Sequence, residues 1–99
     1  MNIVAFAPDL MDQSRIRSAL GETVTFVRRA TDLAGATADV VLVDLSRPGA
    51  LDAAATVGAR TIGFGPHVDA ALLEQARAAG CDEVLPRSRF FPRLAALAE

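Results

Sequence analysis

The segment Ala38 to Gly49, ADVVLVDLSRPG, constrains this chain more than any other stretch. Val40, Val41, Leu42 and Val43 run together without polar alternation, the pattern of a strand buried on both faces of a parallel sheet rather than of a half-exposed hairpin. Asp44 ends the run. A carboxylate at the carboxyl end of a central parallel strand lies in the crevice where doubly wound α/β proteins place their chemistry. The segment therefore predicts both a fold class and the location of a site.

The flanking sequence supplies the partners that such a strand needs. Asn2 to Ala7 is a short apolar run stopped by Pro8 and Asp9, and reads as strand one with Asp9 at its carboxyl end. Leu10 to Leu20 carries Met11, Ile16, Ala19 and Leu20 at an approximate helical period and stops at Gly21. Thr23 to Val27 is β-branched and reads as strand two. A second helix, capped by Thr31 or Asp32, has room only for about Leu33 to Thr37, barely more than one turn. Leu51 to Val57 offers an equally brief third helix, closed by Gly58. Thr61 to Phe64 makes strand four, broken by Gly65-Pro66. Asp69 caps a fourth helix over Ala70 to Ala79, with Gly80 in the position of a C′ glycine. Cys81 to Leu85 is strand five. A terminal helix containing Leu94, Ala95 and Leu97 follows Pro86-Arg87-Ser88.

Strands alternating with helices, joined by connections too long for hairpins, imply right-handed crossovers and parallel pairing. The expected architecture is a flavodoxin-like, doubly wound, five-stranded parallel sheet of order 2-1-3-4-5, with helices two and three shortened. That order brings Asp9, Asp44, Gly65 and Arg87 to one edge. With 99 residues the chain is one domain, residues 1–99, small enough to bury only about 60 to 70% of the unfolded surface.

Composition excludes several function classes. A net charge of −2 without a basic run argues against nucleic-acid binding, because phosphate contacts need clustered positive charge. No segment approaches the roughly 20 apolar residues of a membrane span. The start, MNIVAFAPDL, has no basic region and is broken by Pro8 and Asp9, so no signal peptide is read and a cytoplasmic location is expected. Cys81 stands alone and reads as core filling, since Asp82 and Glu83 beside it do not favour a thiolate. All ten basic residues are Arg.

Three features together resemble the response-regulator receiver domain of two-component signalling: the acid after strand one, the D-x-x-x-P-G pattern of Asp44 to Gly49, and the A-x-A-A-G segment of Ala76 to Gly80 entering strand five. The resemblance spans essentially the whole chain. It implies that Asp44 is the phosphoacceptor equivalent, and that Asp9 and Asp44 would be ligands if Mg²⁺ binds. It also implies that Gly65 and Arg87 occupy the positions of the family's Ser or Thr and Lys. Several features depart from that pattern. Pro8 replaces the first acid of the usual pair, Gly65 has no hydroxyl, Val84 stands at the aromatic switch position, and the chain contains no Lys at all. The spacings from Asp9 to Asp44 and from Asp44 to Gly65 are shorter than usual, which trims helices two and three.

The reading is an atypical or pseudo-receiver: not an enzyme, without a cofactor, acting by binding a protein partner or a second copy of itself. One alternative is a working receiver phosphorylated on Asp44 with Mg²⁺. Another is a small nucleotide- or ligand-binding enzyme on the same fold, although the turn after strand one offers no glycine-rich cradle. Arg87 is expected to fork directly onto Asp44, since guanidinium stays charged and matches carboxylate geometry. Asp12 is expected to join the site only if the first helix starts late. His67, after strand four, reads as an exposed loop residue. Phe90-Phe91 is expected to place one ring in the core and one on the surface. Helix four, strand five and the terminal helix form the expected interface, with Arg77, Phe90, Phe91 and Arg93 as its contacts.

Overall fold

A computed structural model of the chain describes residues 1–66 and 68–97. His67 lies outside the described residues. The elements are β1 (Ile3–Phe6), α1 (Leu10–Leu20), β2 (Val24–Phe26), β3 (Val40–Asp44), α2 (Ala50–Ala54), β4 (Arg60–Gly65), α3 (Ala70–Ala78), β5 (Glu83–Pro86) and α4 (Arg87–Leu97), with short 3₁₀ segments at Gly21–Thr23 and Ala30–Gly35. The five strands form one sheet of order β2-β1-β3-β4-β5, and every pairing is parallel. This is the flavodoxin-like arrangement anticipated from the alternation of elements.

Side chains alternate across each strand and so divide the core in two. On one face Ile3, Ala5, Val40, Leu42, Ile62 and Phe64 pack against Ile16 and Leu20 of α1 and Phe90, Leu94 and Leu97 of α4. On the other, Val4, Phe6, Val41 and Val43 meet Leu33, Ala50, Ala54, Leu73 and Ala76. All five residues of β3 are buried, as its unbroken apolar run requires.

The trimmed half differs in detail from the expectation. No α-helix forms around Leu33 to Thr37. Ala30–Gly35 is a 3₁₀ segment instead, which covers more distance per residue and suits a connection too short for full α turns. The N-cap is Arg29 rather than Thr31 or Asp32, and Asp32 completes a capping box from the N3 position. Its carboxylate lies one turn in and accepts from the Arg29 backbone N–H at 3.1 Å. The next helix has five residues, beginning after Gly49, whose φ of 78° is the left-handed region glycine tolerates. In contrast, α3 follows its sequence signals. Asp69 accepts from the Leu72 N–H at 3.1 Å, and the helix closes as a Schellman turn, with Gly80 N–H on Arg77 O and Cys81 N–H on Ala76 O.

Strand five begins at Glu83 rather than Cys81. Asp82 is used before the strand starts, since its N–H donates to Thr61 O and its carboxylate accepts the Thr61 N–H at 2.8 Å. Cys81 is buried; burial, reinforced by the neighbouring Asp82 charge, pushes its thiol pKa up and keeps it inert. The terminal helix starts at Arg87 itself, so that residue stands at a strand-to-helix junction rather than in a loop.

Two tests follow from the packing. A Cβ added at Gly63 would lie 2.7 Å from Leu45 Cδ1, whereas one at Gly65 meets only Leu72 and Leu73 methyls at 3.4 and 3.5 Å. Gly63→Ala is expected to lower stability by about 1 to 3 kcal/mol through overpacking, with Gly65→Ala clearly milder in urea denaturation. The second concerns Glu83, which takes Arg60 at 2.8 Å and Arg93 at 2.9 and 3.2 Å. Hydrogen bonds from Arg93, then the Arg93 charge and Arg60, hold its pKa below the usual value of 4.5. The stabilisation is therefore full above the unfolded-state pKa and lost as pH falls through the depressed folded value. Over that acid window the parent is expected to lose stability more steeply than Glu83→Gln in parallel denaturation series.

Candidate functional site

The carboxyl edge of the sheet gathers the charged residues that the topology predicts. Asp44, the last residue of β3, pairs in register with Phe64, and Gly65 with Pro86. Asp44 is 2% exposed. Such burial demands hydrogen-bond partners, and they are local: Oδ1 accepts from the Ser46 N–H at 3.1 Å and the Ser46 hydroxyl at 2.6 Å. Oδ2 has Arg47 Nε at 3.5 Å. A serine two residues beyond an aspartate closes the turn that leaves the strand.

Asp9 lies at the end of the turn after β1. Its carboxylate caps α1, accepting the Asp12 N–H at 3.0 Å. The helix then begins at Leu10, so its start is not late, and yet Asp12 in its first turn is buried with only 4% of its side chain exposed. Arg87 explains this burial. The guanidinium forks onto Asp12, with Nη1 on Oδ2 at 3.0 Å and Nη2 on Oδ1. Its flat group also lies 5.6 Å from the Phe64 ring centre and 5.4 Å from that of Phe91. The expected direct pair between Arg87 and Asp44 is therefore not formed. Asp44 is already satisfied by Ser46 and Arg47, and α1 offers Arg87 the bidentate carboxylate instead.

Electrostatically the site is a small cluster of acids with two committed cations, Arg87 on Asp12 and Arg47 on Asp44. Hydrogen bonds that Arg87 donates to Asp12 hold the Arg87 pKa above its ordinary value against the opposing effect of burial, and the charges of Asp12, Asp44 and Asp9 add to this. Gly65 presents only a backbone to the same edge. Val84 is buried.

No family model and no curated protein matches the sequence. Solved structures do. The beryllofluoride-activated receiver domain of DrrB superposes with a TM-score of 0.80 at 15% identity, covering 97% of this chain and 92% of that one. A response regulator from Hahella chejuensis gives 0.81 at 18% identity, over 98% and 91%. The phosphorylated cyanobacterial phytochrome response regulator RcpA gives 0.81 at 13%, over 97% and 89%.

The chain has the receiver-domain fold.

That fold implies a Mg²⁺ site at this edge, and the residues present do not fit one. Among the described residues no three His, Cys, Asp or Glu side chains are gathered to hold a metal. Asp12 is forked by Arg87, Asp9 caps a helix, and Asp44 is held by Ser46 and Arg47. Hard cations need free carboxylate oxygens, and a fixed guanidinium repels them.

Of the four residues expected at an interface, the two phenylalanines are internal, whereas Arg77 is exposed and Arg93 half-buried. Phe90 and Phe91 are 0% and 9% exposed, so neither ring is on the surface. They complete a cluster with Phe64, stacked on Phe90 at 4.0 Å and edge-on to Phe91 at 5.8 Å. Both rings are required because α4 packs on the sheet and α1 at once. Arg93 is committed to Glu83 and Arg77 to Glu74. Two contacts not anticipated from sequence are Arg15 over the Phe91 ring at 3.7 Å and Arg17 over Phe26 at 4.9 Å. The i, i+4 geometry of helices does not reveal them, because each ring comes from another element.

The two carboxylates should respond differently to mutation. Arg87→Ala strands the buried Asp12, but the guanidinium is 38% exposed, so the expected loss is about 2 to 3 kcal/mol, between the exposed and buried regimes for ion pairs. Asp44→Asn keeps an oxygen for both Ser46 donors and should cost under about 1 kcal/mol. Equilibrium denaturation of the two variants beside the parent checks the order.

Proposed function

We propose that this chain is an atypical receiver, a cytoplasmic signalling module that acts by binding protein without normal phosphotransfer. The observation that carries this reading is the internal commitment of the pocket: Asp44 is held by Ser46 and Arg47 while Arg87 is engaged by Asp12. Phosphoryl transfer depends on cations and donors aimed at the developing charge on the phosphoryl oxygens. Here Gly65 brings no hydroxyl, no lysine exists in the chain, and the one arginine at the strand-five position already has its carboxylate.

Such a module acts through its surface. Leu10 and Met11 in the first turn of α1 are large, exposed apolar side chains. Arg15 and Arg17, on the same helix, take part in no ion pair among the described residues and are steadied on aromatic rings. An apolar pair beside preorganised arginines suits a protein contact. Self-association through α3, β5 and α4 has less support, because its aromatic anchors are interior and Arg77 and Arg93 are paired within the chain.

The test is incubation with acetyl phosphate and Mg²⁺, read by intact mass. No phosphorylated species is expected for the parent. Stoichiometric labelling abolished by Asp44→Asn would establish a working receiver instead and overturn the proposal.

A further inference from the structure

The sheet has two edge strands, β2 and β5, and they are protected unequally. β5 ends in Pro86, which has no N–H to offer, and Arg77 Nη2 reaches the Val84 carbonyl at 3.4 Å. Proline and a covering cation blunt an edge against pairing with another chain. β2 carries neither among the described residues. Its residues Val24, Thr25 and Phe26 all favour strands, with Thr25 exposed and the Phe26 ring half-buried. In the ladder with β1 the Val27 N–H donates to Ala5 O at 2.9 Å, so Val27 and Thr25 turn their backbone groups inward. Backbone direction alternates along a strand, and the Val24 C=O and Phe26 N–H therefore face the open side.

We propose that β2 is a docking edge for a second copy of this chain, the two β2 strands running antiparallel about a two-fold axis at Thr25. Charge complementarity carries this choice of occupant. In that register Thr25 faces its own counterpart, Val24 faces Phe26, and Glu22 faces Arg28. The Phe26 N–H of each copy meets the Val24 C=O of the other. Threonine pairs, aromatic with β-branched pairs and opposite charges are the favourable combinations across antiparallel strands. Glu22 and Arg28 are both exposed, and neither takes part in an ion pair among the described residues. An isologous contact uses each pair twice, so the two residues supply a bridge at either end of the paired segment. Glu22 lies in the 3₁₀ segment just before the strand, where its own length and that of Arg28 span the gap without extended backbone. The inference deepens the reading of the chain as a protein-binding module by naming a partner. It rests on that reading for the role of the dimer and not for its formation.

Self-association of the full chain is measured by sedimentation equilibrium from micromolar to millimolar concentration, for the parent, Arg28→Glu, Glu22→Arg and the double exchange. The parent is expected to dimerise. Either single exchange turns two attractive pairs repulsive and should raise the dimer Kd about tenfold. The double exchange restores both pairs and should bring the Kd back. Thr25→Lys, which sets like charges against each other at the axis, should also weaken the dimer. All three positions are exposed, and the urea midpoint of each variant checks that the fold is intact. Amide hydrogen exchange reads the register in the parent itself: protection of the Phe26 N–H should rise with concentration, while the Val27 N–H is protected throughout. Should a variant unfold, that measurement still decides. A parent that stays monomeric overturns the proposal. So does a dimer indifferent to the single exchanges and to Thr25→Lys, a double exchange that restores nothing, or Phe26 exchange independent of concentration. Acetyl phosphate labelling of the parent would defeat the proposed function without producing any of these patterns, so the two failures are distinct.

Discussion

The burial of β3 on both faces is the constraint on which the rest depends. Five consecutive buried residues in the middle of a parallel sheet require helices on either side, and the chain supplies α1 and α4 on one face and the short segments with α3 on the other. Because the fifth of those residues is an aspartate, the same burial that stabilises the sheet creates an electrostatic demand at its edge. Ser46 and Arg47 answer it within three residues, so the turn leaving the strand and the neutralisation of its carboxylate are one structure.

Arg87 answers a second demand and couples distant elements in doing so. It joins the start of α4 to the first turn of α1 through Asp12, while Phe64, Phe90 and Phe91 fill the space beneath. The ion pair thus closes over an aromatic cluster. At the opposite, amino edge Glu83 performs a comparable task with Arg60 and Arg93. Helix α4 is therefore pinned at its beginning by Asp12 and in its middle by Glu83, with its apolar stripe between them. An all-arginine set of cations suits such pins, since the fork holds orientation as well as charge.

What could be read from the sequence follows from range. Val40 to Val43, Asp69, Gly80 and Gly21 carry local signals, and the structure places a strand, an N-cap, a left-handed C′ residue and a helix stop there. The shortness of the second and third helices was also legible, as a matter of residue count. The 3₁₀ character of Ala30–Gly35 was not, since it reflects the distance that the connection must span. The Asp12 to Arg87 pair joins residues 75 positions apart and leaves no local trace. Ser46 did leave one. Sequence reasoning favours a long-range cation for Asp44 over the hydroxyl two residues away, although the nearer partner closes its loop at far smaller entropic cost. Adjacency alone divides the two phenylalanines between core and surface, but a helix packed against both the sheet and another helix has a buried arc wide enough for both.

The comparison with solved receivers sharpens what a fold transmits. Backbones agree with TM-scores of 0.80 and 0.81 at identities of 15% and 18%, so the same fold is built with side chains that are nearly all different. The chemistry of the strand ends is not set by the fold in the same way. It depends on which groups remain uncommitted, and here the acidic side chains at the edge have been drawn into capping, turn closure and ion pairing. Each of these commitments stabilises the backbone geometry that the fold comparison detects. Groups that hold the backbone in this geometry give the pocket its shape, and shape alone is then the part of the site that carries least information about chemistry.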